Sequence, residues 1–465
     1  MPVGAIALAT QQADPETAMA RSGSERTSPH RAIWAIAGPA ILANSAAPMV
    51  GLVDTWAIGH LPNPVHLAAV GLGSVLFNYL FWAFGFLRMG TTGLVAQAFG
   101  AGDERKLTAE IVRSAALALL FGMLLLVFHE VLLGLALQAM APPDNVGRIT
   151  AEYFRIRIWA APASLLVFAI TGVLFGLAKT RTILALQLLL NVCNGVFNVT
   201  FVVGLDMGVP GVALGTLLAQ WITATASCWV VLRLVGVAPL LHSIRDANTW
   251  LLSRLGRIMT INGLIFVRTL FLMTALALIM RVAGTLGETG MAASHVLNQY
   301  MLLMALGLDG FAHAAEALAG RAWGQASRQR FRYWVGLTNR WAIGAAVAYA
   351  LLFWLGGNAL TALLTDIEPV RRTVAELMPF VIALPLVSVW CYQFDGVFIA
   401  ATAATAMMAT MGIAFIIYLA LLGPMSARWG LPGLWGAVLI FMAVRGLAQA
   451  AWYPRLAAGL SEEQD

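Results

Sequence analysis

An ionisable side chain inside a bilayer costs about 3 kcal/mol unless it faces a cavity or a partner, so each one set in an apolar run marks a place for chemistry. The acids placed this way are Asp54, Glu130, Asp309, Glu316 and Asp395; the bases are Arg88, Arg268 and Arg445, with His295 and His313. Asp54 lies in Gly51-Leu-Val-Asp-Thr55 with few polar neighbours to hold a carboxylate. Withdrawal from water disfavours a charged carboxyl, which brings proton exchange near neutral pH and lets it be coupled to another process. The alternative is an acid at an outer helix end that simply meets water.

Asn191, Asn194 and Asn198 recur at i, i+3 and i+7, one face of a helix. Three amides on one stripe line a polar cavity or bond to neighbouring helices; cavity lining is the expectation. Asp309, His313 and Glu316 recur at i, i+4 and i+7, a single titratable face, and Asp395 follows Tyr392 and Gln393. These acids admit two readings. Either they are structural partners of Arg268 and Arg445, or Asp309, Glu316 and Asp395 form a second proton or cation site, with Arg268 and Tyr392 lining the substrate cavity.

The elements that must position these groups follow from composition. The chain has 465 residues, 60% hydrophobic and only 11% charged, against roughly 25% charged in soluble proteins. Apolar stretches fall near 32–58, 67–100, 108–138, 150–178, 182–205, 209–233, 255–281, 290–319, 333–364, 373–402, 405–425 and 431–453, each about long enough to span a bilayer. Gly38-Pro39, Pro48, Pro162, Pro379 and Pro385 predict bends within them. The first thirty residues lack the basic start and long apolar core of a signal peptide and are expected to form a disordered cytoplasmic tail.

With the N-terminus inside, cytoplasmic tails and loops hold 16 Lys and Arg and outer segments 7, so both termini are expected in the cytoplasm. Membrane topology thus accounts for the net charge of +6, and no nucleic-acid partner is implied.

The chain also repeats itself. Ala98-Phe-Gly100 is echoed by Ala322-Trp-Gly324, Gly172-Val173 by Gly396-Val397, and Gly208-Val-Pro-Gly211 by Gly430-Leu-Pro-Gly433, at spacings of 222 to 224. Six spans separate equivalents, so both copies face the same way. The expected fold is all-α integral membrane: twelve transmembrane helices in two six-helix bundles related by pseudo-two-fold symmetry about a central cavity, a transporter architecture. The bundles are expected at 31–235 and 254–455, joined by a basic cytoplasmic linker at 236–253 and flanked by tails at 1–30 and 456–465.

Soluble-enzyme chemistry is not expected. Cys193, Cys228 and Cys391 show no pairing or metal spacing, Gly100-Ala-Gly102 lacks the Lys-Ser/Thr of a phosphate loop, and no Gly-x-Ser-x-Gly elbow occurs. No cofactor is implied, and ATP is not the expected energy source.

At four places the sequence resembles the multidrug and toxic compound extrusion (MATE) transporters, in particular their DinF-like branch. These are Gly51-Leu-Val-Asp-Thr-Trp-Ala-Ile-Gly-His-Leu61; Arg88-Met-Gly-Thr-Thr-Gly93 leading to Gln97-Ala-Phe-Gly100; Leu308-Asp-Gly-Phe-Ala312 with Glu316; and Asp395-Gly-Val-Phe398. The resemblance implies a monomeric antiporter of the bacterial inner membrane that exports organic, often cationic, amphiphiles against an inward ion gradient. Asp54 matches the family's first-helix acid, whose protonation bends that helix and releases substrate. Asn191 and Asn194 match polar cavity residues, whereas Asn198 stands where many relatives carry an aspartate. With Asp54 then the only obvious acid in its cavity, H⁺ is favoured over Na⁺ as coupling ion. A lipid-linked-sugar flippase shares this architecture and remains the alternative within transporters.

Overall fold

Without water to bond to, a chain inside a bilayer must satisfy its own amides, which long apolar runs do as helices. A computed structural model describes residues 28–46, 48–59 and 64–460. The tail expected at 1–30 lies outside the described residues up to 27, as does 461–465 of the other tail.

The helices are α1 (Pro29–Ala46), α2 (Met49–Gly59), α3 (Pro64–Ala83), α4 (Phe86–Gly100), α5 (Glu104–Val127), α6 (His129–Met140), α7 (Asp144–Arg157), α8 (Ala161–Gly176), α9 (Thr180–Asn198) and α10 (Gly208–Val235). After them come α11 (Val237–Arg245), α12 (Leu252–Thr285), α13 (Glu288–Gly324), α14 (Arg328–Leu364), α15 (Glu368–Ala400) and α16 (Ala404–Ala458). Pairs α1–α2, α3–α4 and α7–α8 are single spans interrupted by a break. Near Pro48 the ring removes a backbone donor; before Pro162 the chain makes a 3-10 turn, Ile158–Ala160.

Eleven described helical stretches are long and apolar enough to cross a membrane. The last, α16, has 55 residues, about 80 Å of helix against a hydrocarbon core of roughly 30 Å. It is two spans. Gly430 is non-helical (φ 60°, ψ −133°), and the rings of Tyr418 and Phe441, nearly equidistant from it along the chain, meet at 5.2 Å between centroids. The count is therefore twelve, six on each side of the linker.

The repeat is visible in the packing. A Cβ on Gly100 would lie 2.1 Å from the Arg321 carbonyl oxygen, and one on Gly324 would lie 2.0 Å from that of Gln97. Each glycine thus packs on the symmetry mate of the residue that receives the other, as a two-fold axis requires. Within the bundles, Gly172 abuts the Arg88 carbonyl as Gly396 abuts that of Ala312. Positive φ recurs in step too, at Gly102 and Ala326 and at Ala178 and Thr402.

These glycines close the two bundles on the face that carries the linker, where Gln97 Nε2 also donates to the Ala400 carbonyl at 2.8 Å. Side chains there would cost about 1–3 kcal/mol in forced displacement. Gly100→Ala should therefore part the bundles on this face while leaving each folded. In a background lacking Cys193, Cys228 and Cys391, an Ala400→Cys thiol, buried in the native protein, should then react with an impermeant maleimide roughly tenfold faster. Unchanged labelling would contradict this account of closure.

Two sequence expectations are corrected. Glu130 does not lie in the third span: α5 ends at Val127, and Glu130 stands exposed at the start of α6, held by Arg155 at 2.6 and 2.9 Å. Arg155 keeps its carboxyl below the usual carboxylate range. His295, also read as buried, is exposed on α13.

Candidate functional site

Asp54 is only 1% exposed. Its α2 helix follows the break in the first span, and α9 presents its amide stripe to it. Asn198 Nδ2 and Asn194 Nδ2 donate to Asp54 Oδ1 at 2.7 and 3.1 Å. Thr216 on α10 lies 3.4 and 3.5 Å from the two carboxylate oxygens and accepts from Asn194 Nδ2 at 3.0 Å. All the bonds that Asp54 accepts thus come from uncharged groups. Asn191 reaches elsewhere: its Nδ2 donates to the Ala46 carbonyl at 2.8 Å, one of the acceptors freed where α1 ends. The Asn198 Oδ1 atom is buried without a hydrogen-bond partner among the described residues.

Two neighbours of this pocket escaped the sequence reading. Thr216 shares one buried face of α10 with Thr223 and Ser227, at i, i+7 and i+11, a spacing that could have revealed it. Arg157, at the end of α7, turns into the first bundle, bonding the Tyr153 hydroxyl and lying 4.7 Å from the Phe77 ring centroid. It acts on Asp54 through space without a direct ion pair.

In the second bundle Asp395, on α15, is locked. Arg268 from α12 and Arg445 from α16 both pair with Oδ2, and Gln449 Nε2 donates to Oδ1 at 2.7 Å. The Nε atoms of both arginines are buried without partners among the described residues. Gln449 follows Arg445 by four residues, the helical spacing that could have revealed it. Gln393 is turned away and bonds Thr338 at 2.7 Å.

Glu316 and His313, on α13, meet Arg88 of the first bundle. Arg88 Nη1 lies 3.3 Å from Glu316 Oε2 and 3.4 Å from His313 Nδ1, which is itself 3.2 Å from Glu316 Oε1. Phe175 covers the cluster, its centroid 4.1 Å from the imidazole. Glu316 is nearly fully enclosed, so this ionic contact spans the bundle interface just inside the glycine closure.

Asp309, one to two turns along α13, is half-buried and has no hydrogen-bond or ion-pair partner among the described residues. Tyr392 is half-buried on α15, within electrostatic reach of Asp309. Across the membrane-embedded charges of this region, Arg88, Arg268 and Arg445 balance Asp309, Glu316 and Asp395. Among the described residues, no three His, Cys, Asp or Glu side chains gather as a metal site.

Comparison with known proteins agrees with this fold. A family model described as MatE matches residues 39–200 and 264–424, two blocks that coincide with the internal repeat. The DNA damage-inducible protein F of Escherichia coli is 34% identical over 431 residues, covering 92% of this chain and 93% of its own. A probable multidrug resistance protein NorM of Pseudomonas putida is 27% identical over 392 residues, 79% of each chain. A crystal structure of MATE in the bent conformation superposes with a TM-score of 0.83 at 19% identity, covering 94% of this chain and 97% of that one. At that identity the likeness speaks to the fold alone.

Proposed function

Because this chain belongs to the MatE family, we propose that it is a multidrug and toxic compound efflux transporter that exchanges organic, often cationic, amphiphiles for protons taken up by Asp54. The observation that carries the ion assignment is the shell around that carboxyl. It is shielded from water and bonded by two amides on Oδ1, while among the described residues Oδ2 meets only the distant Thr216 hydroxyl. Oδ2 is therefore the atom where a proton binds without displacing a bond. A carboxylate held by neutral donors also gains more from protonation than one held by an arginine.

The cycle needs only that proton and substrate prefer different states. A proton entering from outside neutralises Asp54 and alters the hydrogen bonds that tie α2 to α9, next to the break that Asn191 holds at Ala46. Substrate is then released outward. Deprotonation toward the cytoplasm restores affinity once the linker face has opened, which requires Arg88 to part from Glu316 and His313. Asp309, the acid left without a partner, attracts the cationic end of the substrate in the second bundle. One charge crossing 100 mV supplies about 2.3 kcal/mol, a gradient of roughly fiftyfold. The sidedness assigned here, with both termini in the cytoplasm of the bacterial inner membrane, is supported by the excess of Lys and Arg on the linker face.

Sodium coupling is the second reading, favoured by one atom: the unpartnered Asn198 Oδ1, which together with Asp54 would offer oxygens to a hard cation. The two separate in proteoliposomes loaded with a fluorescent organic cation, with pH and Na⁺ gradients imposed independently. Efflux is expected under the pH gradient alone. Efflux under the Na⁺ gradient alone would replace H⁺ by Na⁺, and transport under neither would end the antiport reading.

A further inference from the structure

The segment between the bundles is two-faced. On α11, Leu240 and Ser243 are buried, and the Ser243 hydroxyl lies 2.6 Å from that of Thr108 on α5. Val237, Leu241 and Ile244 are exposed, and the exposed apolar row continues through Trp250 and Leu251 to Leu252, which is 85% accessible. Bulky apolar side chains at the end of a membrane span rest where headgroups meet acyl chains, as an interfacial helix does.

Behind this row lies a cavity of about 540 Å³ between α4, α5, the linker and the start of α12. Its acids keep their charges, but each is already bonded. Asp103 accepts from the Lys106 backbone N–H at 2.8 Å and Asp246 from that of Asn248 at 2.9 Å; Glu110 pairs with Arg113 at 2.8 Å, and Arg113 also donates to the Thr249 carbonyl at 2.7 Å. Its remaining cations are not. Arg105, Lys106, Arg254 and Arg257 line the cavity, and their side chains have no hydrogen-bond or ion-pair partner among the described residues. Arg105, Lys106, Arg254 and Arg257 outweigh the Asp103 and Asp246 carboxylates by two positive charges, and this excess, beside a row that meets the bilayer, defines a site for an anion that arrives with the membrane.

We propose that this cavity binds the phosphate-bearing headgroup of an anionic phospholipid from the leaflet on the linker side. Arg254 and Arg257 supply forked donors that suit phosphate oxygens, and Lys106 a compact charge. Arg105 and Lys106 belong to the first bundle, Arg254 and Arg257 to the second. The headgroup therefore bridges the bundles in the arrangement seen here, closed on the linker face, and shifts the population toward it.

The test uses the full chain in phosphatidylcholine nanodiscs with and without phosphatidylglycerol, reading retained lipid by native mass spectrometry and the thermal midpoint. Phosphatidylglycerol should be retained and should raise the midpoint. Arg254→Gln with Arg257→Gln should weaken retention about thirtyfold. Arg371→Gln with Arg372→Gln on the opposite face, where these arginines pair with Asp366 and Glu368, should leave it unchanged. Should the first double variant not fold, Lys106→Gln alone should weaken retention about fivefold. Equal retention in native and cavity variants would overturn the proposal. So would inorganic phosphate in phosphatidylcholine discs, if it raised the midpoint as far as phosphatidylglycerol does, since the ligand would then be a free anion.

Discussion

Asp54→Asn should abolish proton-driven efflux and leave the protein folded. An asparagine is nearly isosteric with the aspartate, and its carbonyl oxygen can accept the same two bonds from Asn194 and Asn198. Its NH₂ then stands where Oδ2 was, facing the Thr216 hydroxyl, which can accept. No buried polar group is orphaned by the change, so the stability cost stays within about 1 kcal/mol. What disappears is the ability to give up a proton. The variant is held in the equivalent of the protonated state, and the roughly fiftyfold concentrating power of one charge moving through 100 mV goes with it. In proteoliposomes under an imposed pH gradient, efflux should fall to the level of protein-free vesicles, with the thermal midpoint nearly unmoved. Native-like efflux from this variant would show that protons enter by another route. A collapse of the midpoint would mean that the ionised carboxylate has a structural role the present geometry does not reveal.

That residue spacing pointed to Asp54 and to the amides separately, and only the family resemblance set them in one cavity, reflects what is local and what is not. The spacing of Asn191, Asn194 and Asn198 follows from helix geometry within one span, so their common face could be read directly. Their target lies on another helix, about 140 residues away, and nothing in either segment names the other. The same division holds in the second bundle. His313 and Glu316 are legible as one face of α13; Arg88 as their counter-charge is not, because any embedded base would satisfy the pattern equally well. Hydropathy found the helices because the bilayer demands some twenty apolar residues per crossing. It misplaced Glu130 because the apolar run continues past the break after Val127, and only the change of direction takes that side chain to the surface. The internal repeat was legible as a spacing. The reciprocal packing of Gly100 and Gly324 across the bundle interface is its three-dimensional consequence.

The second large effect is expected at Asp395 and concerns stability rather than coupling. One carboxylate stands between two buried guanidiniums, with Gln449 on its other oxygen, and so ties α12, α15 and α16 together. Removing one partner of a buried pair costs about 3–5 kcal/mol, because the charge left behind stays buried and unpaired. Asp395→Asn abandons two such charges, Arg268 and Arg445, each only 2–3% exposed, so the loss should reach at least the upper part of that range. It should appear as a large fall in thermal midpoint in detergent and as low yield in the membrane. Combining Asp395→Asn with Arg445→Gln should recover part of the loss, since the second change removes one abandoned charge; such non-additivity is the signature of contacting groups. A coupling role makes the opposite forecast: Asp395→Asn would fold with native stability and lose only its response to an imposed ion gradient. The geometry favours the first outcome. A carboxylate already neutralised twice over offers an arriving cation no vacant charge, whereas Asp309, with no ion-pair partner among the described residues, has its charge to spare for the transported molecule.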